Sequence, residues 1–285
     1  MSDPSRFDHY TPEWCPGCGN FDLLECLKEA LCDLKMTAQD FIMTVGIGQA
    51  SKLGFSVKCN MFDGLHGRVL PAVLGMSMAN HKAKMIAVSG DGCFYAEGGN
   101  HFIHNARRNL NVTVLAGDNR VYGLTKGQAS PTSEYDFVTK VHPEGVGAAP
   151  FNPILLALSS GATFVARGFT GNKSELKHLI KEAIRHQGFA LLNILSPCVS
   201  FNKVNTFVWF KQRARPIDQG HDTRDLRAAM DLASMGEDTL PTGIFYQVSR
   251  PVFGAHLTAL RGDPIVTRTR GFTPERVRPL FKRYR

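Results

Sequence analysis

No apolar run in this chain approaches the roughly 20 residues that a membrane-spanning helix requires. No N-terminal stretch combines a charged start, an apolar core and a small-residue cleavage site. Both absences lead to the expectation of a cytoplasmic protein with no membrane partner. The chain has no internal repeat, which excludes a solenoid. It has no low-complexity segment, and its 43% hydrophobic against 20% charged content excludes a disordered chain. The turn Gly46-Ile47-Gly48 has no third glycine in register and no acidic residue placed for a ribose, so it is not a dinucleotide fingerprint. The net charge of +8 is scattered rather than striped, except near the C-terminus. That argues against nucleic acid and suits a small acidic partner or anionic substrates. The length of 285 residues suits one large domain, or one domain with an appendage.

One stretch organises the rest, Ser89 to Asn119. An apolar run, Met85 to Val88, leads into Gly90-Asp91-Gly92. A helical pattern follows from about Glu97 to Arg108. A second apolar run, Val112 to Ala116, ends at Asp118-Asn119. Strand, tight turn, helix and strand in that order predict a parallel pair whose ends lie on one sheet edge, where doubly wound folds bind ligands. Asp91 and Asn119 are thereby brought together. Two side-chain oxygens, a backbone carbonyl and diphosphate oxygens suit a hard divalent ion such as Mg2+. The glycines beside Asp91 are expected to let the backbone approach phosphates closely.

Seven cysteines in a reducing compartment point to metal or redox chemistry rather than disulfides. Trp14-Cys15-Pro16-Gly17-Cys18-Gly19 holds a Cys-x-x-Cys turn, by itself ambiguous between zinc, an iron–sulfur cluster and a redox pair. Cys26 and Cys32 fall on a helical pattern from Phe21 to Lys35, with Asn20 as its expected N-cap, and read as small buried thiols.

Gly-Asp-Gly, 26 residues and then Asn resembles the metal–diphosphate motif of thiamine-diphosphate enzymes. Gly64 to Arg68 (GLHGR), Gly98 to His104 (GGNHFIH), Ala106 to Asn109 (ARRN) and Tyr122 to Ser133 (YGLTKGQASPTS) narrow this. They look like the β subunit of 2-oxoacid:ferredoxin oxidoreductases, with the likeness running from about Trp14 to Pro216 and recurring at Pro241 to Val248. The resemblance implies an open, mostly parallel, doubly wound α/β sheet that binds thiamine diphosphate. It implies Mg2+ held by Asp91, Asn119 and the carbonyl of Val121, with Gly48, Gly90, Gly92 and Gly123 beside the cofactor. Leu124 and Lys126 would face the reacting carbon and the substrate carboxylate, where an ammonium supplies charge complementarity. His66 and Arg68 would lie near the active centre, just before a helix N-terminus.

The same resemblance implies a [4Fe-4S] cluster on Cys15, Cys18 and Cys198. The fourth cysteine of the family's motif is replaced here by Gln49. Three explanations stay open: an oxygen ligand from Gln49 or water, another cysteine such as Cys59 moving in, or no cluster in this subunit. Cys93 and Asp118 are further departures, standing where the family commonly shows Asp and Asn. Cys93 reads as a packed small residue, and Asp118 adds a negative charge of no assigned role.

The implied activity is oxidative decarboxylation of a 2-oxoacid to an acyl-coenzyme A, with electrons leaving through iron–sulfur centres to ferredoxin or another acceptor. The implied partners are an alpha subunit, with gamma or delta subunits also in view, and the alpha subunit would bring the glutamate that activates the cofactor. A non-oxidative decarboxylase or carboligase is the runner-up. A zinc-containing interaction module is the third reading.

The remaining segments are expected as follows. Residues 1–13 form a flexible arm, residues 14–215 the cofactor-binding domain, and residues 216–285 an extension packed on another subunit. Strands are expected at 41–45, 163–166, 189–195 and 242–248, and helices at 69–80, 154–158, 173–186 and 222–232. His178 and His186 read as helix-surface histidines without a role. Phe207, Trp209 and Phe210 near Lys211, Arg213 and Arg215 read as a subunit interface rather than a single-strand nucleic-acid platform.

Overall fold

The computed structural model describes residues 3–236, 238–268, 271 and 273–282. The elements run α1 (Gly19–Asp33), β1 (Phe41–Val45), α2 (Leu53–Ser56), β2 (Asn60–Asp63), α3 (Val69–Ala79), β3 (Lys84–Gly90), α4 (Gly99–Arg108) and β4 (Val112–Asp118). Then follow α5 (Pro153–Ser159), β5 (Phe164–Phe169), α6 (Lys173–Arg185), β6 (Phe189–Leu195), α7 (Phe207–Arg213), β7 (Ala214–Pro216), α8 (Leu226–Ala233), β8 (Leu240–Gln247) and α9 (Pro274–Phe281). Among the described residues the strands form one sheet, ordered β2-β1-β3-β4-β6-β5-β8-β7.

Residues 112–118 and 189–195 are buried throughout. This is the pattern of parallel strands covered on both faces, and it explains why they read as unbroken apolar runs rather than alternating ones. On one face α1 and α6 bury Leu23, Leu27, Leu31, Leu176 and Ile180 against the sheet. On the other, α3, α4, α5 and α8 bury Val73, Phe102, Ile154 and Ala229. The pairing of α1 with α6 is also set by charge. Lys173 meets Asp22 and Glu25, Lys177 meets Glu29, and Lys181 meets Asp33, at 2.7–3.0 Å. The repeat of four residues on both helices makes this ladder; each exposed pair contributes only about 0.2–1 kcal/mol, so it fixes register more than stability.

The doubly wound sheet is present, with one reversal. β8, expected as a strand with no direction assigned, runs antiparallel to β5. It also draws residues 240–247 into the main sheet, so the described structure does not break near residue 215. The N-terminal arm is docked rather than free: Phe7 is buried against Phe41, and Asp8 bridges to Val57 while Lys28 pairs with it at 2.6 Å. Helix α1 starts two residues earlier than expected, with Cys18 at its N-cap. Asn20 is instead buried in the first turn, its Oδ1 accepting from Ser196 at 3.4 Å. The helix expected from Glu97 begins at Gly99, because a π-helical turn at Gly92–Ala96 precedes it. Cys26 and Cys32 are buried as expected. Phe210 is wholly buried, and Arg120 and Arg213 lie over the Trp209 ring at 4.9 and 4.3 Å, so these two aromatics are engaged within the chain while Phe207 stays exposed.

His186 corrects another expectation. It is buried, its Nε2 lies 2.8 Å from Thr163 Oγ1, and its carbonyl accepts from Lys84 Nζ at 3.1 Å. Burial, and secondarily the Lys84 ammonium, holds its pKa down at about 4. The unfolded ring takes a proton below about pH 6.5 that the folded ring refuses until about pH 4, so stability is lost as pH falls through that window. Replacing His186 with Gln should remove about 3 kcal/mol of this acid sensitivity. Urea unfolding at pH 7 and pH 4.5 checks it: equal slopes against pH in both proteins would mean that His186 is not the group that titrates.

Candidate active site

β1 pairs on one side with β2 and on the other with β3, so chain order reverses at β1. The crevice beyond the carboxyl ends of these strands is where such folds take ligands. Gly46 to Gln49 leaves β1 there, Asp91 leaves β3 and Asn119 leaves β4. The register sets Gly90 beside Gly117, which brings Asp91 level with Asp118, one residue before Asn119.

Asp91 sits in a buried polar network. Its Oδ2 accepts from Ser130 Oγ at 2.5 Å and Thr132 Oγ1 at 2.6 Å. Thr132 Oγ1 also lies 2.8 Å from Asp118 Oδ1, and Asp118 Oδ2 accepts from Asn193 Nδ2 at 3.1 Å. The Asn193 side-chain oxygen in turn accepts from Tyr95 OH at 2.8 Å. Burial, and then the neighbouring Asp118 carboxylate, pushes the Asp91 carboxyl well above the usual range. Two buried carboxylates this close either share a proton or hold a cation between them. Asn119 adds an amide whose Oδ1 accepts from Val121 N at 3.0 Å, and Asn202 Nδ2 holds the Asn119 carbonyl at 3.1 Å. Asp118, unassigned from sequence, thus belongs to the same network. So do Ser130 and Thr132, whose signal was their place in the loop after Asn119.

Gly92 has a further reason to be glycine. A Cβ on it would lie 2.1 Å from Cε1 of Tyr122, so the space beside it belongs to that ring. A Cβ on Gly90 would meet nothing closer than 3.8 Å. Gly48 has φ +141, a conformation that favours glycine. Cys93 is buried and packs where expected, its Sγ accepting from Gly67 N at 3.3 Å.

The loop after Asn119 doubles back tightly. Tyr122 bridges to Gln128, and Gly127 N donates to the Tyr122 carbonyl at 3.0 Å. Leu124 and Lys126 lie on it, Leu124 exposed. Lys126 takes φ +74, a left-handed conformation rare for a side-chain-bearing residue and of the kind held at functional sites. His66 is half-buried, its Nε2 3.3 Å from Glu97 Oε2. Arg68 is turned away from this group, with Nη1 3.3 Å from His101 Nε2.

Cys15, Cys18 and Cys198 line one pocket with Gln49, Asn119 and Gly123. Gly123 lies against three of them: a Cβ there would touch Gln49 Cγ at 3.6 Å and both Asn119 Nδ2 and Cys198 Sγ at 3.7 Å. The Trp14 indole donates to the Gln49 carbonyl at 2.9 Å, which fixes that backbone. Gln49 Oε1 is buried with no hydrogen-bond partner. Ser200 Oγ lies 3.0 Å from Cys15 Sγ, and Phe201 N donates to Cys198 Sγ at 3.4 Å, contacts that favour thiolate sulfur. Burial, and then the proximity of Cys198 and Cys15, pushes the Cys18 thiol up to about 11. Among the described residues no three His, Cys, Asp or Glu side chains meet closely enough to share one metal ion. The three thiols ring a volume rather than a point. Cys59 does not line this pocket; it packs against the core beside Met43 of β1, where burial raises its thiol to about 11.

Comparison with known proteins gives the family. A family model described as "Thiamine pyrophosphate enzyme, C-terminal TPP binding domain" matches residues 46–194. A second model, for the C-terminal region of the pyruvate ferredoxin oxidoreductase beta subunit, matches residues 198–262. The chain is 39% identical over 246 residues to 2-oxoacid:ferredoxin oxidoreductase 2, subunit beta, of Aeropyrum pernix, covering 82% of this chain and 79% of that one. It is 34% identical to 2-oxoglutarate synthase subunit KorB of Methanocaldococcus jannaschii, covering 90% and 94%. A solved structure of 2-oxoglutarate:ferredoxin oxidoreductase from Magnetococcus marinus, with 2-oxoglutarate, coenzyme A and succinyl-CoA bound, superposes with a TM-score of 0.91 at 36% identity, covering 98% and 96%. The chain is a beta subunit of the 2-oxoacid:ferredoxin oxidoreductase family.

Proposed function

We propose that this subunit holds thiamine diphosphate through Mg2+ at Asp91, Asn119 and the Val121 carbonyl. A [4Fe-4S] cluster on Cys15, Cys18 and Cys198 takes the electrons of 2-oxoacid oxidation. One observation carries this reading: Asn119 and the three cysteines line a single pocket, in which Gly123 lies against both Asn119 and Cys198. A metal ligand for the cofactor and thiols for an electron carrier side by side suit oxidation better than the non-oxidative chemistry of the runner-up. When bound, the cofactor supplies the electron sink for decarboxylation. The chain's own groups do the rest. Asp91 anchors the cation, Leu124 offers an apolar contact, and Lys126 offers an ammonium to a carboxylate at the end of a rigid loop.

A second, partner chain completes the site. The rim carries exposed apolar side chains, Ile47, Phe62, Leu65 and Leu124, on the edge strand β2 and the loops that follow β1, β2 and β4. Such a patch around a polar site suits another polypeptide. Coenzyme A is the acyl acceptor, ferredoxin or another low-potential carrier the electron acceptor, and 2-oxoglutarate or a range of 2-oxoacids the substrate.

The test uses the protein purified anaerobically with its partner. A panel of 2-oxoacids with coenzyme A and a low-potential acceptor should give acyl-coenzyme A with matching acceptor reduction. Aldehyde or carboligation product without acceptor reduction would move the non-oxidative reading into first place. Lys126→Ala should raise KM for the 2-oxoacid and cost about 10–100-fold in kcat/KM, the loss of one charge-assisted contact. An unchanged KM would show that Lys126 does not meet the substrate carboxylate.

A further inference from the structure

A second constellation stands beside the cofactor site, and three glycines build it. Gly67 has φ +73, and a Cβ there would lie 2.5 Å from the carbonyl carbon of Glu97. A Cβ on Gly98 would lie 2.4 Å from the Cys93 carbonyl oxygen. The turn at residues 64–68 and the turn before α4 therefore lock together backbone to backbone, which only glycine permits. Gly92 instead leaves room for a side chain, the Tyr122 ring. Three side chains from distant segments meet as a result. His66 Nε2 is 3.3 Å from Glu97 Oε2. Tyr122 OH donates to both oxygens of Glu97, at 3.1 and 3.0 Å. The His66 and Tyr122 rings sit edge to face with centroids 6.1 Å apart. His66 Nδ1 is buried and has no hydrogen-bond partner.

The chemistry of these donors fixes the arrangement. An ionised carboxylate only accepts, so Tyr122 presents its hydroxyl to Glu97, and a carboxylate oxygen 3.3 Å from His66 Nε2 favours the proton on that nitrogen. In the neutral ring Nδ1 is then a bare lone pair. A buried acceptor left unpaired is costly, so this one stands ready for an O–H or N–H of a bound ligand. We infer that Glu97 is a positioning residue of the active site. It holds His66 in the tautomer whose Nδ1 can accept from a bound substrate or cofactor. Through Tyr122 it ties that turn to the loop carrying Leu124 and Lys126. Carboxylates placed behind a histidine fix its ring and tautomer in this way elsewhere.

The hold of Glu97 on His66 stands on geometry alone, whereas its effect on turnover rests on the oxidoreductase reading. The experiment separates them, using the intact complex. Carbethoxylation of His66 by diethylpyrocarbonate, followed by peptide mass spectrometry, should be several-fold faster in Glu97→Ala, because Nε2 is released. An unchanged rate overturns the contact, whatever the activity. In the kinetic arm Glu97→Gln should lower kcat about 10–100-fold, the usual cost of losing an outer-shell partner, with cofactor content and melting temperature unchanged. In a His66→Gln background the same change should cost no more than about twofold, since residues acting as a unit are not additive. Additive losses, or losses that track a lowered melting temperature, would mean that Glu97 serves the fold and not His66. If the wild-type complex oxidises no 2-oxoacid, the oxidoreductase reading falls, and the modification rates still decide whether Glu97 holds His66.

Discussion

Asp91→Ala is expected to leave the purified complex without bound thiamine diphosphate and to lower 2-oxoacid oxidation by about 10^3-fold or more, equivalent to about 4 kcal/mol or more of lost transition-state stabilisation. The reason lies in the charge balance of the buried network. Asp91 and Asp118 share the Thr132 hydroxyl, and burial with mutual repulsion already disfavours the Asp91 carboxylate. A divalent cation converts that repulsion into attraction, so the anchor is strong only when the cation is present. Two consequences distinguish this from simple damage to the fold. Without Mg2+ and cofactor, Asp91→Asn should melt no lower than wild type, because one buried like charge is gone. With both present at about 100 times the dissociation constant, the wild type should gain about 2.7 kcal/mol and the variants almost nothing. Thermal melts with and without Mg2+ and thiamine diphosphate check both. A variant that keeps wild-type cofactor content would remove Asp91 from the metal site.

The parts of this site that are close in sequence are the legible ones. Gly90-Asp91-Gly92, the following helix and Asn119 form one strand–helix–strand unit. The unbroken apolar runs of β3, β4 and β6 announce a sheet covered on both faces. What is not legible depends on which distant segment packs where. Alternation in residues 242–248 predicts a strand but carries no direction, so the antiparallel run of β8 is invisible in it. His186 ends an amphipathic helix and reads as exposed, yet Thr163 and Lys84, from loop and strand, close over it. Phe7 sits in a polar N-terminal stretch, and its burial follows only from the space beside Phe41. Gly92 reads only as a site of phosphate approach, because the ring that fills the space beside it, Tyr122, is remote in the chain. Glu97 looks like an ordinary helix-start acid for the same reason: neither His66 nor Tyr122 is near it in sequence.

The second large effect is expected at the thiols. Cys18→Ala should remove the iron held by this chain and cut acceptor reduction at least 100-fold, roughly 3 kcal/mol, while leaving thiamine diphosphate bound. A thiol held up at about 11 is protonated at neutral pH, so only metal can hold it as thiolate, and binding there releases protons. The corner at Gln49 decides how firmly a cluster sits. An amide oxygen is a weak partner for iron beside three thiolates. Yet Gln49 Oε1 is the buried, unpartnered atom of this pocket, its backbone is pinned by Trp14, and Cys59 lies elsewhere. A cluster bound here should therefore be held firmly at three corners and loosely at the fourth. On brief exposure to air the wild-type complex should lose iron from that corner and develop the paramagnetic signal of a three-iron cluster. Gln49→Cys should keep its iron under the same treatment. Iron, sulfide and electron paramagnetic resonance measurements on wild type, Cys18→Ala and Gln49→Cys decide between the cases. Equal iron in wild type and Cys18→Ala would mean that no cluster resides in this chain and that electrons leave by another. Equal air sensitivity in wild type and Gln49→Cys would mean that the fourth corner is closed by something other than residue 49.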